Sequence, residues 1–90
     1  MFTGEGTLTQ FDEPIEITVE FQSERPCIRK FVLQWRGQRY SITCVHLYHQ
    51  DWHGEALIHY FSVTAGGKFF KLRFDSKKLQ WFLEEIFEPH

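Results

Sequence analysis

Two glycine breaks, Gly37-Gln38 and Gly66-Gly67, each interrupt a long run of strand-forming residues. A two-residue connection of this kind closes an antiparallel hairpin, because its backbone twist matches that of the flanking strands. Folding about Gly37-Gln38 sets Trp35 opposite Tyr40, Leu33 opposite Ile42 and Phe31 opposite Cys44. The intervening pairs are Arg36 with Arg39, Gln34 with Ser41 and Val32 with Thr43. Folding about Gly66-Gly67 pairs Val63 with Phe70, Phe61 with Leu72 and His59 with Phe74. Its alternate face carries Thr64 with Phe69, Ser62 with Lys71 and Tyr60 with Arg73. Each hairpin therefore has an apolar face for a core and a polar, cationic face.

A third strand is legible upstream. Ile15, Ile17, Val19 and Phe21 alternate with Glu16, Thr18 and Glu20, the period of a half-buried strand. Residues 1–13 read as an N-terminal tail or a short edge strand around Gly6–Phe11, and 14–90 as a single small β domain. Two segments admit more than one reading. His46–Glu55 suits a helical turn or a loop. In Ser76–Glu88, Leu79, Phe82, Leu83 and Ile86 fit a helix capped by Asp75 or Ser76, whereas Trp81, Leu83 and Phe87 fit a last strand.

The expected fold is mainly β: an antiparallel meander of five or six strands, strongly twisted or curled into a small open barrel, with a C-terminal helix as the alternative ending. Its expected core is Ile15, Ile17, Val19, Phe21, Phe31, Leu33, Trp35, Tyr40, Ile42, Phe61, Val63, Phe70, Leu72 and Phe74. Ninety residues suffice for one modest core, burying about 60–65% of the unfolded surface. With 18% aromatic residues, a few large side chains must supply much of it.

Charge is segregated along the chain. All ten Lys and Arg lie between Arg25 and Lys78, opposed there only by Asp51, Glu55 and Asp75. Residues 1–24 carry six acids and no base, and residues 79–90 three acids and no base. In the hairpin registers Lys30, Arg36, Arg39, Lys71 and Arg73 point away from the core, with Tyr60 and Phe69 among them. Cations interleaved with exposed rings can follow a phosphate backbone while bases stack on the rings. The competing reading is a solvated face neutralised by Glu16, Glu20, Glu84, Glu85 and Glu88.

Other chemistry is thin. His46, His49 and His53 would share one face of a helix with Asp51 nearby, a weak candidate metal site that a strand or loop would scatter. His59 falls on an apolar face and reads as a satisfied core residue. A Cys44–His59 nucleophilic pair would need an accessible thiol, and the position opposite Phe31 implies burial. Cys27 and Cys44 lack metal-binding spacing and suit a reduced, cytoplasmic protein. No signal-peptide pattern or apolar run of membrane-spanning length is present. No catalytic motif, phosphate loop or cofactor site is evident, and enzyme activity is not expected.

The chain resembles a family of small bacterial domains of unknown function marked by a W-R-G-x-x-Y hairpin and a closing F-D, spacer, W-x-L and acidic end. The matching residues are Trp35, Arg36, Gly37 and Tyr40, then Phe74, Asp75, Trp81, Leu83 and Glu88, within a likeness running from about Glu13 to Glu88. The chain departs from the pattern in its longer Lys77-Lys78-Leu79 spacer and its histidine-rich linker. The resemblance implies a small antiparallel β domain without assigned catalytic residues, and it tilts the last segment towards a strand. Some members are encoded beside error-prone DNA polymerase genes, a link to DNA metabolism. The functional expectation is a non-catalytic binding module that contacts nucleic acid through Lys30, Arg36, Arg39, Tyr60, Phe69, Lys71 and Arg73. The alternative is a protein-interaction or homodimerisation module docking through a sheet edge or the same face.

Overall fold

A computed structural model describes residues 5–22 and 25–89, and side chains outside 21–29. Six antiparallel strands follow in chain order: β1 (Gly6–Gln22), β2 (Arg25–Trp35), β3 (Gln38–His53), β4 (Ala56–Ala65), β5 (Lys68–Asp75) and β6 (Gln80–Pro89). They form a meander that closes into a ring through β1 and β6. Among the described residues there is no helix, and so none long and apolar enough to cross a membrane.

Two strands close the ring by changing neighbours. β1 pairs with β6 from Gly6 to Ile15 and with β2 from Glu16 onward. β3 pairs with β2 only over Gln38–Ser41, then with β4 from Ile42 to His53. Residues 6–13, expected as a tail or short edge strand, are thus the first half of β1, which runs through Pro14 without a break.

The core forms where the strands overlap. Ile15, Leu33, Val63, Ala65, Phe70, Leu72, Leu83 and Ile86 make one buried cluster, flanked by Phe11, Ile17, Trp35, Tyr40, Ile42, Phe61 and Trp81. Phe70, Leu33, Leu72, Leu83 and Ile86 are the largest fully buried side chains, each worth about 1.5–3 kcal/mol of burial. Tyr40 seals one end: its ring packs against Phe70 and so close to Gly66 that a Cβ there would stand 2.7 Å from it.

The Gly66-Gly67 hairpin has the register its alternation implies, from Ala65 opposite Lys68 to His59 opposite Phe74. The other expected hairpin needs correction. Its turn is Arg36-Gly37, with φ of 51° and 75°, so Leu33 faces Tyr40, Trp35 faces Gln38 and Gln34 faces Arg39. The type I′ turn places glycine at its second centre and a left-handed arginine at its first. Inward and outward faces survive, because the partners shift by two residues. Arg36 and Arg39 are no longer opposed. Val32, expected on the polar face, is also buried.

The last segment is a strand, and its helical period has a local cause. Leu83 and Ile86 are both buried although three residues apart. Glu85 pairs with Lys71 but Leu83 with Leu72, so Glu84 is a bulge that resets the inward face. Asp75 accepts the N–H groups of Lys77 and Lys78, capping a turn rather than a helix. Leu79, expected on an apolar helix face, ends that turn 75% exposed at φ 53°.

The His46–Glu55 segment is neither helix nor loop. β3 continues to His53, and a two-residue turn headed by Gly54 at φ 63° returns the chain as β4. Bulges between Ile42 and Cys44 and between Val45 and Leu47 break the alternation that would have marked this strand. Val19 and Phe31, expected in the core, are each 43% exposed, because β2 and β3 part beyond Val32 and Ser41. Phe21 lies outside the described side chains.

Candidate functional site

The cationic residues divide into small internal clusters. At the β2–β3 turn, Glu13 accepts the Trp35 indole N–H at 2.7 Å and pairs with Arg36 at 2.7 Å. The Arg36 guanidinium lies over the Trp35 ring at 4.6 Å and the Phe11 ring at 5.3 Å. Hydrogen bonds from Arg36 and then Trp35 hold the Glu13 carboxyl below its ordinary range. This clasp ties the middle of β1 to the hairpin tip. Arg39 is paired with Glu20.

Arg73 lies on the outer face of β5 between Asp12 at 2.7 Å and Glu84 at 3.0 Å, over the Phe82 ring at 4.5 Å. Burial alone would lower its pKa, but its hydrogen bonds to Asp12 and Glu84 prevail and raise it. Lys68 pairs with Glu88 and Lys77 with Glu55, both at 3.5 Å. Of the candidate nucleic-acid residues, Lys30 and Lys71 form no ion pair among the described residues. Lys71 stands opposite Glu85 in the β5–β6 register.

Tyr60, Phe69 and Lys71 do come together. They line an outer-face groove of about 260 Å³ with Leu8, Leu47, His49 and Phe87. Tyr60 stacks on His49 at 4.7 Å, and burial, with the nearby Glu84 charge, raises its pKa. Arg36 and Arg39 do not line this groove.

The three linker histidines do not converge. An extended chain separates His46 from His49 by about 10 Å and His49 from His53 by about 13 Å, too far to share one ion. His46 bonds to the Thr64 hydroxyl, His49 stacks on Tyr60, and His53 lies 3.1 Å from the Tyr60 hydroxyl. No cluster of three potential ligands occurs among the described residues. Cys44 is exposed rather than buried, with its sulfur 3.7 Å from His46, and it pairs across from Thr64, well along the strand from His59. His59 is half-buried and bonds through Nδ1 to the Tyr48 hydroxyl at 2.6 Å.

A different surface emerges where β2 and β3 part. Beyond Ser41 one edge of β3 has no strand partner among the described residues, although β4 holds its other edge as far as His53. Between the diverging strands an apolar cavity of about 360 Å³ opens into the barrel. Val19 and Phe31 form one bank, Ile42 and Val45 the other, with Phe61 and Trp81 at the floor. Rings continue along the inner wall from Tyr48 to Phe61 and on to Trp81 and Phe74.

Leu47, Tyr48 and Trp52 are exposed along the open edge, Trp52 to 65%. Alternation does not mark these residues, because bulges interrupt the period through Val45 and Leu47. The available signal was compositional: from Ile42 to His53 there is no Lys, Arg or Pro, the residues that ordinarily protect a sheet edge. Comparison with protein families, curated proteins and solved structures finds no match to this chain.

Proposed function

We propose that this protein is a non-catalytic protein-interaction module that docks a partner along the open edge of β3. One observation carries the reading: pairing between β2 and β3 stops at Val32 and Ser41, leaving the rest of β3 with an edge that is open among the described residues and with exposed Leu47, Tyr48 and Trp52. Such an edge offers backbone hydrogen bonds to an incoming strand, and the adjacent apolar bank supplies the burial that hydrogen bonds alone do not. Pairing with β4 runs without a register shift from Leu47 to His53, so this length of edge keeps the regular spacing that an added strand needs.

Nucleic-acid contact is the second reading, favoured by the Tyr60, Phe69 and Lys71 groove. Carboxylates already occupy Arg36, Arg39 and Arg73, which reduces the charge left for a phosphate backbone.

Capture from an extract of the native cell, using the whole chain and a Tyr48→Lys/Gln50→Pro variant, tests the first reading. Proteins identified by mass spectrometry that survive high salt on the parent chain and vanish on the variant are expected. Equal capture by both would overturn edge docking. A labelled oligonucleotide that binds at low salt, weakens with salt and ignores the variant would move the function to the outer groove.

A further inference from the structure

We infer that the open edge of β3 pairs with the same edge of a second copy of this chain. The inference rests on the edge-docking reading above and supplies its partner. Antiparallel pairing about a two-fold axis requires a segment that complements its own reverse. Leu47–His53 does so when the axis passes through Gln50. Tyr48 then faces the partner's Trp52, His49 faces the partner's Asp51, Leu47 faces the partner's His53, and the two Gln50 amides meet.

The faces agree with this register. Tyr48 lies inward, stacked on His59 and touching Phe61, and unbroken alternation puts Gln50 and Trp52 on the same side. His49 lies outward on Tyr60, and Asp51 shares that side with its side chain 70% exposed. Within its own chain the Asp51 carboxylate accepts the Trp52 backbone N–H at 2.9 Å and lies 3.9 Å from His53, contacts that pairing with the partner's His49 would have to share or replace. The dimer would therefore set aromatic against aromatic on one face and imidazole against carboxylate on the other. Both are favourable cross-strand pairs, and symmetry makes each occur twice. No directly opposed like charges arise in this register. Pairing joins two sheets at β3, where each is otherwise open, and covers Tyr48, Leu47 and Trp52.

Analytical ultracentrifugation of the whole chain across a concentration series tests this at one fixed pH. The expected result is a concentration-dependent dimer. His49→Asp places carboxylates opposite carboxylates and should raise the dissociation constant about tenfold, and Trp52→Lys should do the same. The double exchange His49→Asp/Asp51→His restores imidazole–carboxylate pairing and should recover most of the affinity. Circular dichroism of each variant separates lost pairing from lost folding.

A monomer at every concentration overturns self-pairing and leaves edge docking to the capture experiment. A dimer indifferent to all three variants overturns self-pairing at this edge and likewise leaves edge docking to the capture experiment. A double exchange no tighter than His49→Asp alone overturns this register.

Discussion

The two halves of the barrel use the same strands in opposite ways. In the half built from β4, β5 and β6, every strand has neighbours on both sides, and Phe70, Leu83 and Ile86 are sealed from solvent. In the half where β1 leaves β6 and β3 leaves β2, apolar residues of equal size remain open: Val19, Phe31, Val45, Tyr48 and Trp52. The difference does not lie in hydrophobicity. It lies in pairing: a strand that changes neighbours closes the ring at its crossing and leaves its free length with an unused edge. Burial concentrates in the first half, and the docking proposed above belongs to the second.

The largest test compares truncations across that divide. Leu83→Ala in the sealed half should cost about 2–5 kcal/mol, enough to unfold much of a domain this small, measured by urea denaturation. Trp52→Ser removes a larger side chain yet should change stability by about 0.5 kcal/mol or less. Equal costs would erase the distinction.

Next comes Arg73. Arg73→Met should destabilise by about 1–3 kcal/mol, because Glu84 loses a charged partner at a half-buried position. Its equilibrium denaturation curve should show this loss without any change in self-association. Arg73 would then be a structural cation of the sealed half.

A smaller effect of opposite sign belongs to Leu79. A branched side chain in the left-handed region carries about 1–2 kcal/mol of strain, part of which Leu79→Gly returns as chain entropy. The variant should gain up to about 1 kcal/mol in the same denaturation assay. A loss would mean that the exposed leucine is held by contacts of its own.

The smallest effect is the acid response of the clasp. Arg36 and Trp35 lower the folded-state pKa of Glu13, so its contribution is present above the ordinary carboxylate range and fades as pH falls through the lowered value. Glu13→Gln should flatten that part of the thermal-stability profile against pH and leave the profile near neutrality almost parallel to the parent's.

The Gly66-Gly67 hairpin was fully legible because glycine permits both left-handed centres and nothing interrupts the alternation beside it. The Trp35–Tyr40 hairpin was legible in its faces but not its register, since Arg36 occupies a conformation that sequence rules assign to glycine or asparagine. One bulge at Glu84 gave a strand the spacing of a helix, and two bulges in β3 hid a strand altogether. The carboxylates that neutralise the cations were beyond reach for another reason. Glu13 meets Arg36 and Asp12 meets Arg73 only once β1 spans both neighbours. Charge layout along a chain records composition, and pairing depends on closure.

Backbone hydrogen exchange by NMR, followed as the protein is concentrated, tests the division most directly. Added protection is expected only at amides of residues 47–53 that face away from β4, with β5 and β6 unchanged. Added protection on β5 or β6, or none anywhere while the edge amides exchange freely at every concentration, would contradict that division.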